Sequence, residues 1–420
     1  MSSYAGLYVN DKEVFTYRNR VDPEMLYLFS VDELLHLTGK EATKYARGWD
    51  IDDMSPEEIE DLEVFVYAAP AGVLKDRLSV LGFGETLVKE VFEESLEDAI
   101  EHAATFAQRY PGKDYGKEVE ERLKELQKLN YDTWMQQLGA YISSNRSLKE
   151  NEVRSLYDDG PLEILSSVDQ RILLRAISEH IDENEVVTLD LTDLAEGGWL
   201  DEQNSNSALR KSWEFTSGAP IIITEGIYDA QVLKGAIEIL KPHLAPYIRF
   251  LDYETRNEGS ASVAVSTLKS FAAAGISNRI VAIFDNDSAA REAVTALKGI
   301  KLPPRYTVIH YPDIDLANEY PTLGPQGNVT MNVNGLAGSI ELYLGTDVLK
   351  DDEGNLMPVQ WKGYMSKIKS YQGELLNKFL VQKAFNEKLK AAKTNRKNVD
   401  NQDWSGLSAI LDKLVETLSK

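Results

Sequence analysis

Residues 220–226 read Pro-Ile-Ile-Ile-Thr-Glu-Gly, and residues 279–287 read Arg-Ile-Val-Ala-Ile-Phe-Asp-Asn-Asp. Both are short, unbroken apolar runs that stop at an acid. Between and after them the period changes. Val232, Leu233, Ala236, Ile237 and Leu240 share one helical face, as do Val265, Leu268, Phe271 and Ala272, and then Ala289, Ala290, Ala293, Val294 and Leu297. Further apolar runs span Tyr247 to Tyr253 and Tyr306 to Tyr311. Continuous runs alternating with amphipathic helices describe strands covered on both faces, hence a parallel sheet with right-handed crossovers. Ligands of such sheets collect beyond the carboxyl ends of the strands, where Glu225, Asp285 and Asp287 fall. Three carboxylates converging without matching Arg or Lys are costly unless a cation neutralises them. Hard oxygen ligands of this kind suit Mg²⁺ or Mn²⁺. Asp287, just before Ser288-Ala289-Ala290, also reads as a helix N-cap.

The pattern Glu225-Gly226-x-x-Asp229 with Asp285-x-Asp287 resembles the Toprim domain of topoisomerases, bacterial primases, recombination mediators and overcoming-lysogenization-defect nucleases. Met1-Ser2-Ser3-Tyr4, Asp190-Leu191-Thr192-Asp193-Leu194 and Gly338-Ser339-Ile340-Glu341-Leu342-Tyr343-Leu344 are similar to the bacterial HEPN/Toprim-associated proteins, over nearly the whole chain. The resemblance implies an α/β protein: a C-terminal Toprim-like doubly wound parallel sheet and a mixed, mostly helical α+β N-terminal region. It also implies a Mg²⁺- or Mn²⁺-dependent nuclease acting on DNA or RNA, in bacterial defence against phage. Glu225, Asp285 and Asp287 would be catalytic, and Asp229 and Glu341 would complete the metal ligands. Each of the last two has a plainer reading: Asp229 as a first-turn acid facing the helix dipole, Glu341 as a surface acid on an amphipathic element.

Composition narrows the field. The 420 residues are enough for two or three domains, and the absence of cysteine removes disulfides, thiol catalysis and every cysteine zinc site. Primases and recombination mediators of the Toprim group typically carry a cysteine zinc module, which this chain cannot build. With 45 Lys and Arg against 68 Asp and Glu, the formal charge is −23, so nucleic acid must be met locally, with metal or a partner. No apolar run is long enough to span a bilayer and no cleavable signal opens the sequence, which gives a cytoplasmic expectation without membrane contact. No Walker A pattern occurs, so an ATPase motor would be a separate protein, and the expected partner is such an ATPase or another defence protein. Self-association is an open expectation.

The expected organisation is an α+β domain over 1–110, a helical and α+β region with connector over 111–218, the Toprim-like domain over 219–348, and a basic helical region over 349–420. Within the first region the pattern predicts a hairpin turning at Asn10-Asp11, a helix from Pro23 through Leu37, and a strand at Val64 to Tyr67. Pro312 to Asn334 reads as an irregular excursion. Lys362, Lys367 and Lys369 belong to a basic stretch that could track a nucleic-acid backbone or serve solubility, and Lys362 could also steady charge on a phosphate. Arg175 and His180 stand at the Arg-x4-His spacing of HEPN ribonucleases; with Ala176 after the Arg, they read as a helix-surface Arg and a helix-end His. Asp252 and Glu254 flank the second run, while Asp190 and Asp193 serve turns. Two other classes remain beside the nuclease: a topoisomerase, whose nucleophile would be one of twenty tyrosines, and a non-catalytic nucleic-acid-binding module.

Overall fold

A computed structural model of the chain describes residues 2–9, 12–47, 49–109, 114–143, 163–199, 219–251, 259–325, 327–351 and 353–420, with backbone alone for 114–116. The protein is mixed α/β, with several sheets of which one is parallel. Two compact units form, Met1–Ser217 with Ser419–Lys420, and Gly218–Leu418.

The first unit is built on a five-stranded antiparallel sheet of β1 (Tyr4–Val9), β2 (Lys12–Arg18), β3 (Leu34–Thr38), β4 (Glu63–Pro70) and β5 (Val186–Asp190), in the order β2-β1-β5-β4-β3. β1 and β2 pair as a hairpin; the turn expected at Asn10-Asp11 lies outside the described residues. Alternation along β4 sorts its side chains to two faces. Val64 and Val66 join a small cluster with Ala42, Ala46 and Leu62, while Tyr67 and Ala69 join the main core. That core is completed by α1 (Ala71–Val80), α2 (Glu85–Arg109), α3 (Asp114–Leu126), α4 (Tyr131–Ser143) and α5 (Gln170–Ile177). Phe92 and Trp134 stack at its centre, 4.6 Å between rings. The helix expected from Pro23 to Leu37 stops at Leu26. Leu34 to Thr38 instead pairs with β4, because the edge of the sheet offers that segment a full ladder of partners.

The second unit carries the parallel sheet. Its strands are β6 (Ile221–Ile223), β7 (Arg249–Phe250), β8 (Ile280–Phe284) and β10 (Tyr306–His310), in the order β10-β8-β6-β7. The chain runs outward one way from β6 to β7 and the other way from β8 to β10, so the order reverses between β6 and β8. All five residues of β8 are buried. Ile223, Ile280, Ala282 and Phe284 pack with Ala264, Val265 and Leu268 of α7 (Ala261–Ala273) and Ala290 of α8 (Ser288–Val294). Each such fully buried Ile or Phe contributes about 1.5–3 kcal/mol. α6 (Ile227–Leu240) follows β6 directly.

Beyond β10 the structure departs from expectation. The stretch after Tyr311 contains β11 (Tyr320–Gly324) and β12 (Gly327–Met331), an antiparallel pair rather than an irregular loop. The basic region opens with a second hairpin, β14 (Val359–Met365) and β15 (Ser370–Leu375), before α9 (Lys378–Thr394) and α10 (Ser405–Leu418). Lysines dominate its composition, but Trp361, Tyr364 and Tyr371 give it the aromatic content of strands. These four strands make one sheet, ordered β12-β11-β14-β15. Two further residues, β13 (Ala337–Gly338), pair with β9 (Asn286–Asp287).

α9 is tied down by a buried lysine. Lys388 Nζ donates to Leu344 O at 2.8 Å and to Asp347 Oδ1 at 2.7 Å, and also reaches Asp403 O. Lys388→Met leaves those acceptors without their donor. It is expected to destabilise the protein by about 2–3 kcal/mol, read as a lower denaturant midpoint at unchanged slope.

Candidate functional site at the carboxyl rim of the parallel sheet

The reversal of strand order places the ends of β6 and β8 side by side, and each ends in an acid. Glu225 lies two residues beyond β6, at the entrance to α6, and Asp285 immediately follows β8. The Asp285 N–H donates to Glu225 Oε1 at 2.8 Å, locking the two strand ends together. Asp229, in the first turn of α6, is buried and accepts a 3.0 Å hydrogen bond from the Tyr311 hydroxyl. Tyr311 comes from the end of β10, whose ladder with β8 it extends through Tyr311 N to Phe284 O at 2.8 Å. His310 Nδ1 lies 2.8 Å from the carbonyl oxygen of Asp285. Three adjacent strand ends thus supply one rim.

Close backbone approach is part of the construction. A Cβ on Gly259 would lie 2.6 Å from both the Glu225 carbonyl oxygen and the Gly226 Cα. Gly259→Ala must push the Glu225 turn aside, at about 1–3 kcal/mol. It is expected to lower the melting temperature and to weaken Mn²⁺ binding together, which calorimetry and thermal melts on one sample will check.

The acids raise one another's proton affinity. Burial pushes Glu225 up to about 7, helped by the charges of Asp287 and Asp229 and opposed by the Asp285 N–H and Lys378. Burial likewise lifts Asp229 to about 6, with Glu341 adding to it and the Tyr311 hydroxyl opposing. Asp285 is held well above the usual carboxylate range by burial, then by Asp229, Glu225, Asp287 and Glu341. Part of that residue reaches the surface, yet its Oδ1 is sealed from solvent and has no hydrogen-bond partner among the described residues. A buried acceptor left in this condition costs about 1–3 kcal/mol, more if charged, and a proton or a cation would relieve it.

Among the described residues, no three carboxylate or imidazole groups stand close enough to hold a metal ion by themselves. A preformed cage is not what Mg²⁺ requires, since it keeps several waters and binds through one or two carboxylates plus substrate phosphates. The donor set fits that mode: oxygen only, with the partnerless Asp285 Oδ1 beside Glu225.

Asp287 and Glu341 are placed differently. Asp287 caps α8, with Oδ1 accepting from Ala290 N at 2.8 Å, and its Oδ2 accepts from Gln372 Nε2 at 2.7 Å. Glu341 is buried, not the surface acid of its plainer reading; it accepts from Ser339 Oγ and Gln382 Nε2, each at 2.7 Å, and lies 3.4 Å from Lys378 Nζ. Lys362 is half exposed and pairs with Glu374 at 3.1 Å, and Lys367 pairs with Glu292 at 2.9 Å. Lys369 sits exposed at the end of the β14–β15 turn with φ +53°. Asp252 and Glu254 lie outside the described residues. Asp190 serves a turn in the first unit, accepting from Thr192 N at 2.9 Å, but Asp193 does not: it lies in the first turn of a short helix, Thr192–Glu196, and accepts from the distant Tyr4 N at 2.7 Å. Arg175 is not the helix-surface residue expected: it is buried and bonded to Glu179, as its helix turns its whole circumference into the core.

Residues not singled out from sequence complete the site. Lys378, at the start of α9, brings a cation to the acids, 3.4 Å from Glu341 and 3.5 Å from Glu374. Burial opposes its charge, but Glu341, Glu374 and Asp285 together raise its pKa. Gln372, Gln382, Tyr311 and Ser339 hold individual carboxylates. Gln372, Gln382 and Tyr311 are marked only by contacts across long sequence separations, which no local pattern could have found, whereas Ser339 stands two residues before Glu341 in the same short stretch.

An antiparallel-sheet unit and a parallel-sheet unit with an acidic rim define a mixed α/β protein with a candidate cation-handling site. The chain belongs to the HEPN/Toprim N-terminal domain 1 family, whose match covers residues 1–212. That match ends before β6, so the rim lies beyond it. No curated protein and no solved structure matches the chain. No helix among the described residues is long and apolar enough to cross a membrane.

Proposed function

We propose that the second unit is a Toprim-like, doubly wound domain and that its rim hydrolyses phosphodiester bonds of DNA or RNA with Mg²⁺ or Mn²⁺. The observation that carries this is Asp285 Oδ1, buried without a partner, beside Glu225 at the reversal of strand order. That is where open α/β sheets bind ligands. Membership of a family named for HEPN and Toprim supports a nuclease-related role.

Asp285 and Glu225 would hold the metal directly, with Asp229 close behind. Asp287 and Glu341, whose oxygens are already hydrogen-bonded, would reach it through water. When bound, the ion lowers the pKa of a coordinated water and withdraws charge from the phosphate. Glu225 would also serve in proton transfer from the attacking water. Lys378 places a positive charge on the side of the rim where Glu341 and Glu374 meet. Burial, and after it the charges of nearby acids, raises the pKa values of Tyr228, Tyr311 and Tyr343, which keeps them as protonated phenols. The Tyr311 hydroxyl is engaged with Asp229. This favours water over tyrosine as nucleophile, and hydrolysis over topoisomerase chemistry.

The test is incubation of the purified protein with end-labelled DNA and RNA in Mg²⁺, Mn²⁺ or EDTA, followed by denaturing electrophoresis before and after protease. Free fragments that need metal and ignore protease are expected. A protease-sensitive retarded band would mean tyrosine attack, and no cleavage of any substrate would leave a binding module.

A further inference from the structure

The β14–β15 hairpin carries three aromatic rings side by side, two of them exposed and the third, Trp361, half-buried. Tyr364 and Tyr371 are direct cross-strand partners, 55% and 57% exposed, with ring centroids 5.1 Å apart. The edge of Trp361 meets Tyr371 at 6.4 Å. Val359, Gly373 and Leu375 of the same hairpin are buried and Trp361, paired with Gly373, is half-buried, so this end of the strands is anchored while the two tyrosine rings are not covered. Large exposed apolar groups placed side by side mark a binding surface rather than scattered surface residues.

Charge selects the partner. Within 359–375 stand Lys362, Lys367 and Lys369 with Glu374 as the single acid, in a chain of net charge −23. The Lys362–Glu374 and Lys367–Glu292 pairs are solvent-exposed on the lysine side, and such pairs hold too weakly to bar exchange for a phosphate. Rings with lysines around them match the stacking platforms of proteins that bind single strands, where base faces lie on aromatic side chains and cations follow the backbone. A duplex keeps its base faces stacked inside and offers none to a ring.

The platform is joined to the rim. Ser288 Oγ donates to the Tyr371 carbonyl oxygen at 2.8 Å. The neighbouring Gln372 accepts from Ala289 N at 2.8 Å and donates to Asp287 Oδ2 at 2.7 Å. Two consecutive residues therefore carry an exposed ring and a side chain bonded to a rim acid.

We propose that Trp361, Tyr364 and Tyr371 form a stacking platform for unpaired bases, and that the substrate class is single-stranded nucleic acid, with Lys367 and Lys369 meeting its phosphates. This rests on the nuclease reading only for where the cut falls; the binding itself needs no metal.

The experiment measures fluorescence anisotropy of labelled oligothymidylate, oligouridylate and a short duplex with the full chain in EDTA. Variants are Tyr364→Ala/Tyr371→Ala and Tyr364→Phe/Tyr371→Phe, each checked by thermal melting. Single strands are expected to bind more tightly than duplex, about tenfold or more weaker in the Ala variant, and within about twofold of wild type in the Phe variant, which keeps the rings. The two oligonucleotides distinguish DNA from RNA. Equal binding of duplex and single strand by the wild type, or unchanged affinity in the Ala variant, would overturn the platform. Loss of self-association on removing the rings, without a change in oligonucleotide binding, would do so too and would assign the patch to a second copy. Cleavage is scored separately: ring-dependent binding with no metal-dependent cutting counts against the rim alone, and cutting with ring-independent binding counts against the platform alone.

Discussion

Asp285→Asn is expected to leave the fold standing while removing metal-dependent cleavage. Among the described residues, the Asp285 carboxylate is the rim acid whose buried oxygen has no hydrogen-bond partner. Asn keeps the shape and gives up the charge, so the loss falls on metal binding and on the several kcal/mol of transition-state stabilisation a metal provides, roughly a thousandfold or more in rate. The same change removes a charge that Glu225 and Asp229 oppose, and the metal-free variant should melt higher than wild type above neutral pH. Asp287→Asn provides the contrast. Asn is as good an N-cap as Asp, so the bond to Ala290 N survives and cleavage should fall far less than in the Asp285 variant. Calorimetry showing unchanged Mn²⁺ affinity in Asp285→Asn would remove this residue from the site.

Metal-free protein is expected to lose stability as the pH rises from about 5 to 8, and Mg²⁺ or Mn²⁺ to restore it. Glu225 and Asp229 have folded pKa values of about 7 and about 6, above the roughly 4 of an unfolded chain. Across that interval the folded state binds more protons than the unfolded one, so stability is greatest below the unfolded pKa and declines as the pH passes the folded values. A shift the size of that at Glu225 corresponds to on the order of 3 kcal/mol, with mutual coupling among the acids deciding how it is shared. A cation bound only by the folded state stabilises by mass action. Thermal melts in EDTA and in Mn²⁺ across this range check both parts. Melting that is flat with pH in EDTA, or rises, would contradict the electrostatic picture.

How much of this was legible in the sequence depends on the range of the interactions. The runs 221–223 and 280–284 announced parallel strands, because a strand buried on both faces carries its signal in consecutive residues. The acids at their ends were visible for the same reason. The second run was partly misleading: of Tyr247 to Tyr253, only Arg249–Phe250 is described as strand. The hairpin at 359–375 was hidden by its lysines, which drew attention to charge and away from the alternation of Trp361, Tyr364 and Tyr371. The segment 34–38 is strand only because β4 offers it an edge, a tertiary cause that no helix-start signal at Pro23 could reveal. Within the site, Lys378 reaches Glu341 and Gln372 reaches Asp287 through folding of segments distant in sequence. Local periodicity locates strand ends; it does not say which distant side chains will meet there.

The central claim is that the rim holds a divalent cation at Asp285 and Glu225. Anomalous diffraction from crystals soaked in Mn²⁺ tests it most directly. The account expects a peak at metal–oxygen distance, about 2.0–2.2 Å, from Asp285 Oδ1, with a Glu225 oxygen or its bound water as a second contact. A peak elsewhere with none at Asp285, or no peak at Mn²⁺ concentrations that support cleavage, would contradict it.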